Sequence, residues 1–142
     1  MIILDTNVLS NLMRLSPEPL VIDWLDRQPA ESVWITSVTL FEARLGIALV
    51  PRGRRRSSLE AAFNILLEDD LENRVLDFDA QAAAEAATLA AERQRTGRTV
   101  DVRDTLIAGI ALARRATLAT RNTRRFRDLK VRVVDPWRSR EV

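Results

Sequence analysis

A chain of 142 residues is the length of one domain and can bury a hydrophobic core of its own, so residues 1–142 are read as a single unit. With 46% hydrophobic and 30% charged residues it has the balance of a soluble globular protein, and no stretch approaches the roughly eighteen apolar residues of a membrane span. The formal charge of +2 excludes little, but the absence of cysteine and histidine excludes disulfides, thiolate chemistry, zinc-thiolate sites, serine-histidine triads and paired-histidine cleavage of RNA.

Met1-Ile2-Ile3-Leu4-Asp5 has no basic region ahead of its apolar run, so it does not read as a secretory signal and the cytoplasm is the expected location. Ile2 to Leu4 is a short buried strand that ends at Asp5-Thr6-Asn7, a natural helix entry. A helix over Leu20 to Arg27 follows Pro17 and Pro19, and Val33 to Thr36 is a second buried strand. Ser37 is expected to cap a helix from Val38 to Leu49, after which Pro51 and Gly53 break the chain. Ser57 to Glu68 carries Leu59, Phe63 and Leu66 on one helical stripe. Arg74 to Asp77 is a strand, and Asp79 caps an alanine-rich helix to Thr96, stopped by Gly97. Val102 to Arg115 is a helix apolar almost all round from Thr105 to Ala113, and Thr117 to Ala119 and Val131 to Val134 are the last strands. Five strands alternating with helices predict an α/β fold, a parallel sheet with helices on both faces.

Three acids stand where structure alone accounts for them poorly. Asp5 follows the first strand, at the sheet edge where open α/β folds bind ligands, although capping the next helix is a competing role. Glu42 shares a helical stripe with Val38, Leu45, Gly46 and Leu49; a carboxylate facing a core needs a partner, Arg44 or another arginine, or a bound cation. Asp104 opens the apolar helix, and if Asp101 caps that helix, Asp104 is free for a ligand. Two carboxylates about 4 Å apart repel by roughly 4 kcal/mol at an effective dielectric near 20, so convergence of all three would call for a cation. Oxygen donors suit Mg²⁺ or Mn²⁺.

Arginine is concentrated at Arg52, Arg54, Arg55 and Arg56, and again from Arg114 to the last residue, where ten basic residues face only Asp128, Asp135 and Glu141. The second region is an electrostatic footprint for a polyanion, or a solvated face.

Four fragments in order resemble the PIN-domain ribonucleases, and among them the VapC-type toxins of the FitB-like branch. They are Met1 to Ser10, Thr36 to Gly46, Asp104 to Gly109, and Leu118 to Asn122 followed by Phe126, so the likeness spans essentially the whole chain. The resemblance implies a PIN fold with a central five-stranded parallel sheet. It implies Asp5, Glu42 and Asp104 as catalytic, metal-binding acids, Asn122 as a polar neighbour, and Thr6 or Asn7 as support. It further implies a Mg²⁺- or Mn²⁺-dependent endoribonuclease, with arginines such as Arg121 on the RNA backbone. A VapB-like antitoxin whose tail lies across the groove, and a homodimer, complete the expectation.

One region departs from the pattern. Many relatives carry a fourth acid at or just after the position of Asn122, and close relatives often have histidine or aspartate where this chain has Arg125. A second metal is therefore in question, with Asp101 the nearest substitute. The rival reading is a PIN-like module that binds RNA or a partner without cleaving. A haloacid dehalogenase would need aspartate at Asn7, and a receiver domain would need paired acids after the first strand and an opposed lysine, where the chain has only Lys130.

Overall fold

The computed structural model describes residues 1–138, so Arg140 and Glu141 of the C-terminal basic region lie outside the described residues. The strands are β1 (Ile2–Leu4), β2 (Val33–Thr36), β3 (Val75–Leu76), β4 (Thr117–Ala119) and β5 (Val133–Val134). The helices are α1 (Thr6–Leu12), α2 (Pro19–Asp26), α3 (Ser37–Ala48), α4 (Arg54–Ile65), α5 (Ala80–Arg95) and α6 (Val102–Arg114).

All strand pairs are parallel and the spatial order is β3-β2-β1-β4-β5. The chain steps outward from β1 through β2 to β3, then returns through α5 and α6 to place β4 on the other side of β1. Strand order therefore reverses between β1 and β4, where side chains beyond the two carboxyl ends line a crevice. Leu4 pairs with Ala119 in register, so the chain leaves the sheet at Asp5 beside Thr120.

Alternation along each strand divides the core. Ile3 and Leu118 face α5 and α6, packing with Ala82, Leu89, Ile107 and Ile110. Leu4 and Ala119 face the opposite layer, with Val8, Val21, Ile47 and Phe63 of α1 to α4. Helices cover both faces, which is why strands of two to four residues can be apolar apart from Thr36 and Thr117. The sharpest packing is between α5 and α6: a Cβ on Gly109 would lie 2.6 Å from the carbonyl oxygen of Ala82 and 2.7 Å from Cβ of Ala86. Only a residue without a side chain lets the two helices approach this closely.

Several boundaries differ from the sequence expectation. Thr36, not Ser37, caps α3, its hydroxyl accepting from the Thr39 amide at 3.1 Å. Ser37 instead accepts from the Phe78 amide, tying α3 to the segment after β3. Helix α4 begins at Arg54 rather than Ser57, because Gly53 at φ 152° makes the turn and Arg54 to Arg56 are already helical. The helix ends in a π turn, Leu66–Asp70, and β5 is two residues long. Asp79 caps α5 as expected, Asp101 and not Asp104 caps α6, and Gly97 leaves α5 at φ 74°. Among the described residues no helix is long and apolar enough to cross a membrane.

Candidate active site

Asp5 ends β1 with its side chain folded inward and 4% exposed. Its Oδ1 accepts from the Thr6 amide at 2.8 Å, and Oδ2 accepts from the Thr120 hydroxyl at 2.7 Å and from the Asn7 amide group at 3.3 Å. Burial pushes the Asp5 carboxyl above the usual carboxylate range; the bonds from Thr120 and Thr6 pull it back, and the charges of Asp104 and Glu42 add to the rise. That charge coupling places all three acids within one another's field. The capping role weighed for Asp5 is also real: it is the N-cap of α1.

Glu42 reaches the same edge from the middle of α3. Its Oε1 accepts from the Thr6 hydroxyl at 2.7 Å, so Thr6 joins two acids, by its amide to Asp5 and by its hydroxyl to Glu42. Thr39, fully buried, lies 3.2 Å from the Thr6 hydroxyl and accepts from Thr36. The expectation that Glu42 faces the core is corrected: Val38 is buried, but Gly46 is exposed and Leu49 is 74% exposed, and Glu42 and Gly46 line a groove open to solvent. Its arginine partner is Arg103, at 3.4 Å, and not Arg44, which bonds Asn64 and lies over the Phe63 ring.

Asp104 stands in the first turn of α6. Asp101 caps that helix by accepting from the Asp104 amide at 3.0 Å, which leaves the Asp104 carboxylate to face the crevice and makes Asp101 an exposed cap, not a buried ligand. Burial raises the Asp104 carboxyl above its ordinary range. The hydrogen bond from Arg125 opposes this, Asp101 adds to it, and the charge of Arg125 and that of Glu42 act in opposite senses behind them.

The three acids thus share an edge and a field, but not a ready-made cage. Among the described residues no three acidic side chains stand close enough to hold a metal ion as they lie. Glu42 is turned onto Arg103 and Asp104 onto Arg125, at 3.0 Å, and these arginines neutralise the crowded charge. Both arginines are half-exposed or more, while Glu42 and Asp104 are 19% and 16% exposed, so each cation lies on the solvent side of its pair with the acid behind it. In kind the donor set fits a hard cation: carboxylates and hydroxyls, with no nitrogen or sulfur donor among them.

Of the other expected residues, Asn7 is built in. It donates to Asp5 and to Thr120 at 3.2 Å and accepts from the Arg121 amide, stitching the end of β1 to the end of β4. Asn122 enters through its backbone, donating to the Thr120 hydroxyl. The Arg121 guanidinium lies over the Trp137 ring, 5.1 Å from its centre, and makes no ion pair among the described residues.

Thr120, Thr39, Arg103 and Arg125 were not singled out as contacts from the sequence. The usable signal for Thr120 was its place just beyond an apolar strand, the same position relative to β4 that Asp5 has relative to β1. A groove of about 750 Å³ leads away from Thr6 and Glu42 between α1, α3 and α4, with Met13, Leu59, Arg54 and Arg55 among its walls.

A family model described as PIN domain matches residues 2–131. Plasmid stability protein StbB of Pseudomonas syringae pv. tomato is 41% identical over 137 residues, covering 96% of this chain and 99% of that protein. The VapC ribonuclease Y4jK of Sinorhizobium fredii is 34% identical, covering 96% and 98%, and toxin FitB of Neisseria gonorrhoeae is 34% identical, covering 96% and 99%. The solved structure of FitAB bound to an IR36 DNA fragment superposes with a TM-score of 0.89 at 33% identity, over 99% of each chain.

Proposed function

The chain belongs to the PIN-domain family, and from that premise we propose that it is a metal-dependent endoribonuclease, the toxin of a VapBC-type toxin-antitoxin pair. The observation that carries the reading is the gathering of Asp5, Glu42 and Asp104 at the β1/β4 crevice, in a chain similar along its length to a VapC ribonuclease.

Asp5 and Asp104 would hold a Mg²⁺ or Mn²⁺ ion, with Glu42 beside them. When bound, such an ion polarises a phosphate oxygen and makes a coordinated water nucleophilic near neutral pH. The chain's own residues prepare that site. Thr120 and the Thr6 amide donate to Asp5 and so favour its ionised form against the effect of its burial, in the sense that an acid meant to accept a cation requires. The Thr6 hydroxyl fixes the Glu42 carboxylate, and Asn7 holds the two strand ends together beneath it. Arg103, on a long exposed side chain, can turn from Glu42 to an oxygen of the phosphate being cut and offset charge in the transition state. The missing fourth acid supports a single ion.

RNA as substrate puts the activity in the cytoplasm. The partner in this reading is a VapB-like antitoxin, and the groove running from Glu42 between α1, α3 and α4 supports it as the place where an inhibitory segment lies. A homodimer belongs to the same proposal: Phe41 and Leu49, exposed by half or more, are apolar side chains that a second copy would cover.

The test is cleavage of RNA by the purified chain with Mg²⁺, with Mn²⁺ and with EDTA. Cleavage only with metal, leaving 5'-phosphate ends and lost in Asp104→Asn and Glu42→Gln, is the expected result. Products ending in 2',3'-cyclic phosphate, or undiminished cleavage in EDTA, would contradict the mechanism. RNA binding without cleavage would leave the rival, a binding module.

A further inference from the structure

A second cavity, of about 400 Å³, opens beside Asp104 between the end of α5, the start of α6 and the single-turn helix Thr123–Phe126. Its walls carry Arg93, Arg98, Arg124 and Arg125 against Asp101 and Asp104. These cations are not equivalent. Arg93 is 4% exposed and clamps Asp128 through two bonds of 2.8 and 2.9 Å, while Arg98 holds the same carboxylate at 2.8 Å. Those two are committed to structure. Arg125 has only Asp104, and Arg124 has no carboxylate partner among the described residues.

The turn that presents Arg124 and Arg125 is firmly seated. Phe126 is fully buried beneath it, and Arg93 donates a further bond, 2.9 Å long, to the carbonyl oxygen of Arg125. The backbone is thereby held while the guanidinium groups of Arg124 and Arg125 stay in solvent. A guanidinium fork matches two phosphate oxygens better than one crowded carboxylate. The volume falls within the roughly 300–1,000 Å³ of small-ligand sites and admits a phosphodiester with its sugar. The rim acids Asp101 and Asp104 would repel that group unless an arginine stood between.

We infer that this cavity is the subsite for the RNA phosphate next to the one that is cut, held by Arg124 and Arg125, and that Arg125 exchanges Asp104 for that phosphate as RNA enters. The same motion releases Asp104 when a cation has to be held, so substrate binding and completion of the acid site become coupled. The identity of the polyanion rests on the ribonuclease reading.

The test is binding of a short fluorescent 2'-O-methyl oligoribonucleotide to the full chain in EDTA, followed by anisotropy over a range of salt. Arg124→Ala and Arg125→Ala should each weaken binding several-fold and lower the salt slope by about 0.7, the value for one phosphate contact on a single strand. Arg27→Ala, at the exposed end of α2 and away from the cavity, should keep the wild-type slope. Asp104→Asn should tighten binding by freeing Arg125, and the gain should vanish when Arg125→Ala is added. An unchanged slope in the Arg124 and Arg125 variants would overturn the inference, as would a gain in Asp104→Asn that survives Arg125→Ala. Cleavage of unmodified RNA with Mg²⁺ separates the two readings. Wild-type cleavage with unchanged variant slopes overturns the subsite alone. Lowered slopes without any cleavage keep the subsite and overturn the nuclease.

Discussion

The Asp5 carboxyl stands where water is almost excluded, which disfavours its charge, and the Thr120 hydroxyl is the donor that most offsets this. Thr120→Val keeps the shape but leaves a buried carboxylate short of one bond, which costs about 1–3 kcal/mol. Its melting temperature should fall and its cleavage should weaken, with Thr120→Ser restoring both; unchanged stability in the valine variant would show that Thr120 does not hold Asp5. Asp104 gives a pH test. Its carboxyl is raised in the fold above the ordinary 3.8, so its contribution to stability is complete below that value and is lost as pH rises through the raised one. In EDTA, Asp104→Asn should therefore melt with wild type in acid and above it near neutral pH. A variant that melts below wild type at neutral pH would contradict this. At this scale the sequence was informative about acids and poor about their partners. Asp5, Glu42 and Asp104 sit in short motifs, whereas Thr120 meets Asp5 across 115 residues, and nothing local marks a threonine after a strand as a carboxylate donor. The stripe reasoning for Glu42 failed because only its Val38 end enters the core while the face from Glu42 to Leu49 opens to solvent, which periodicity cannot distinguish.

The elements set the distances that these residues need. Helix α6, which carries Asp104, packs closely on α5 because Gly109 has no side chain to hold the two apart. Gly109→Ala should lower the stability of the fold by roughly 1–3 kcal/mol through overpacking, and Ala86→Gly should recover part of that loss by clearing the nearer side chain. An alanine variant that melts with wild type would show that the helices have room to separate. Arg93 adds a second tie, from α5 to the segment around Asp128, whose carboxyl that arginine holds below its usual range. Helix and strand positions were legible because apolar runs, caps and breakers agreed along most of the chain. The start of α4 was not, since Gly53 makes the turn alone and three successive arginines read as readily as loop or helix. The seating of Arg125 was hidden for a different reason: it depends on a buried arginine from another helix.

In the molecule as a whole, five short parallel strands make a platform whose order reverses once, and the reversal concentrates the acids. Alternation of strands and helices announced the layers, but strand order follows from long-range pairing, which no local pattern encodes. The similarity to PIN-domain proteins extends across that whole platform and does not stop at isolated motifs. If the crevice gathers a cation, binding must also stabilise the fold, by about 2.7 kcal/mol once the ion stands at a hundredfold its dissociation constant. The most direct measurement is a calorimetric titration of Mn²⁺ into the chain, alongside Asp5→Asn and Asp104→Asn. One ion bound per wild-type chain, with binding lost in both variants while they remain folded, is the predicted result. Heat that is absent in the wild type, or equal in all three proteins, would mean that these carboxylates do not form a metal site.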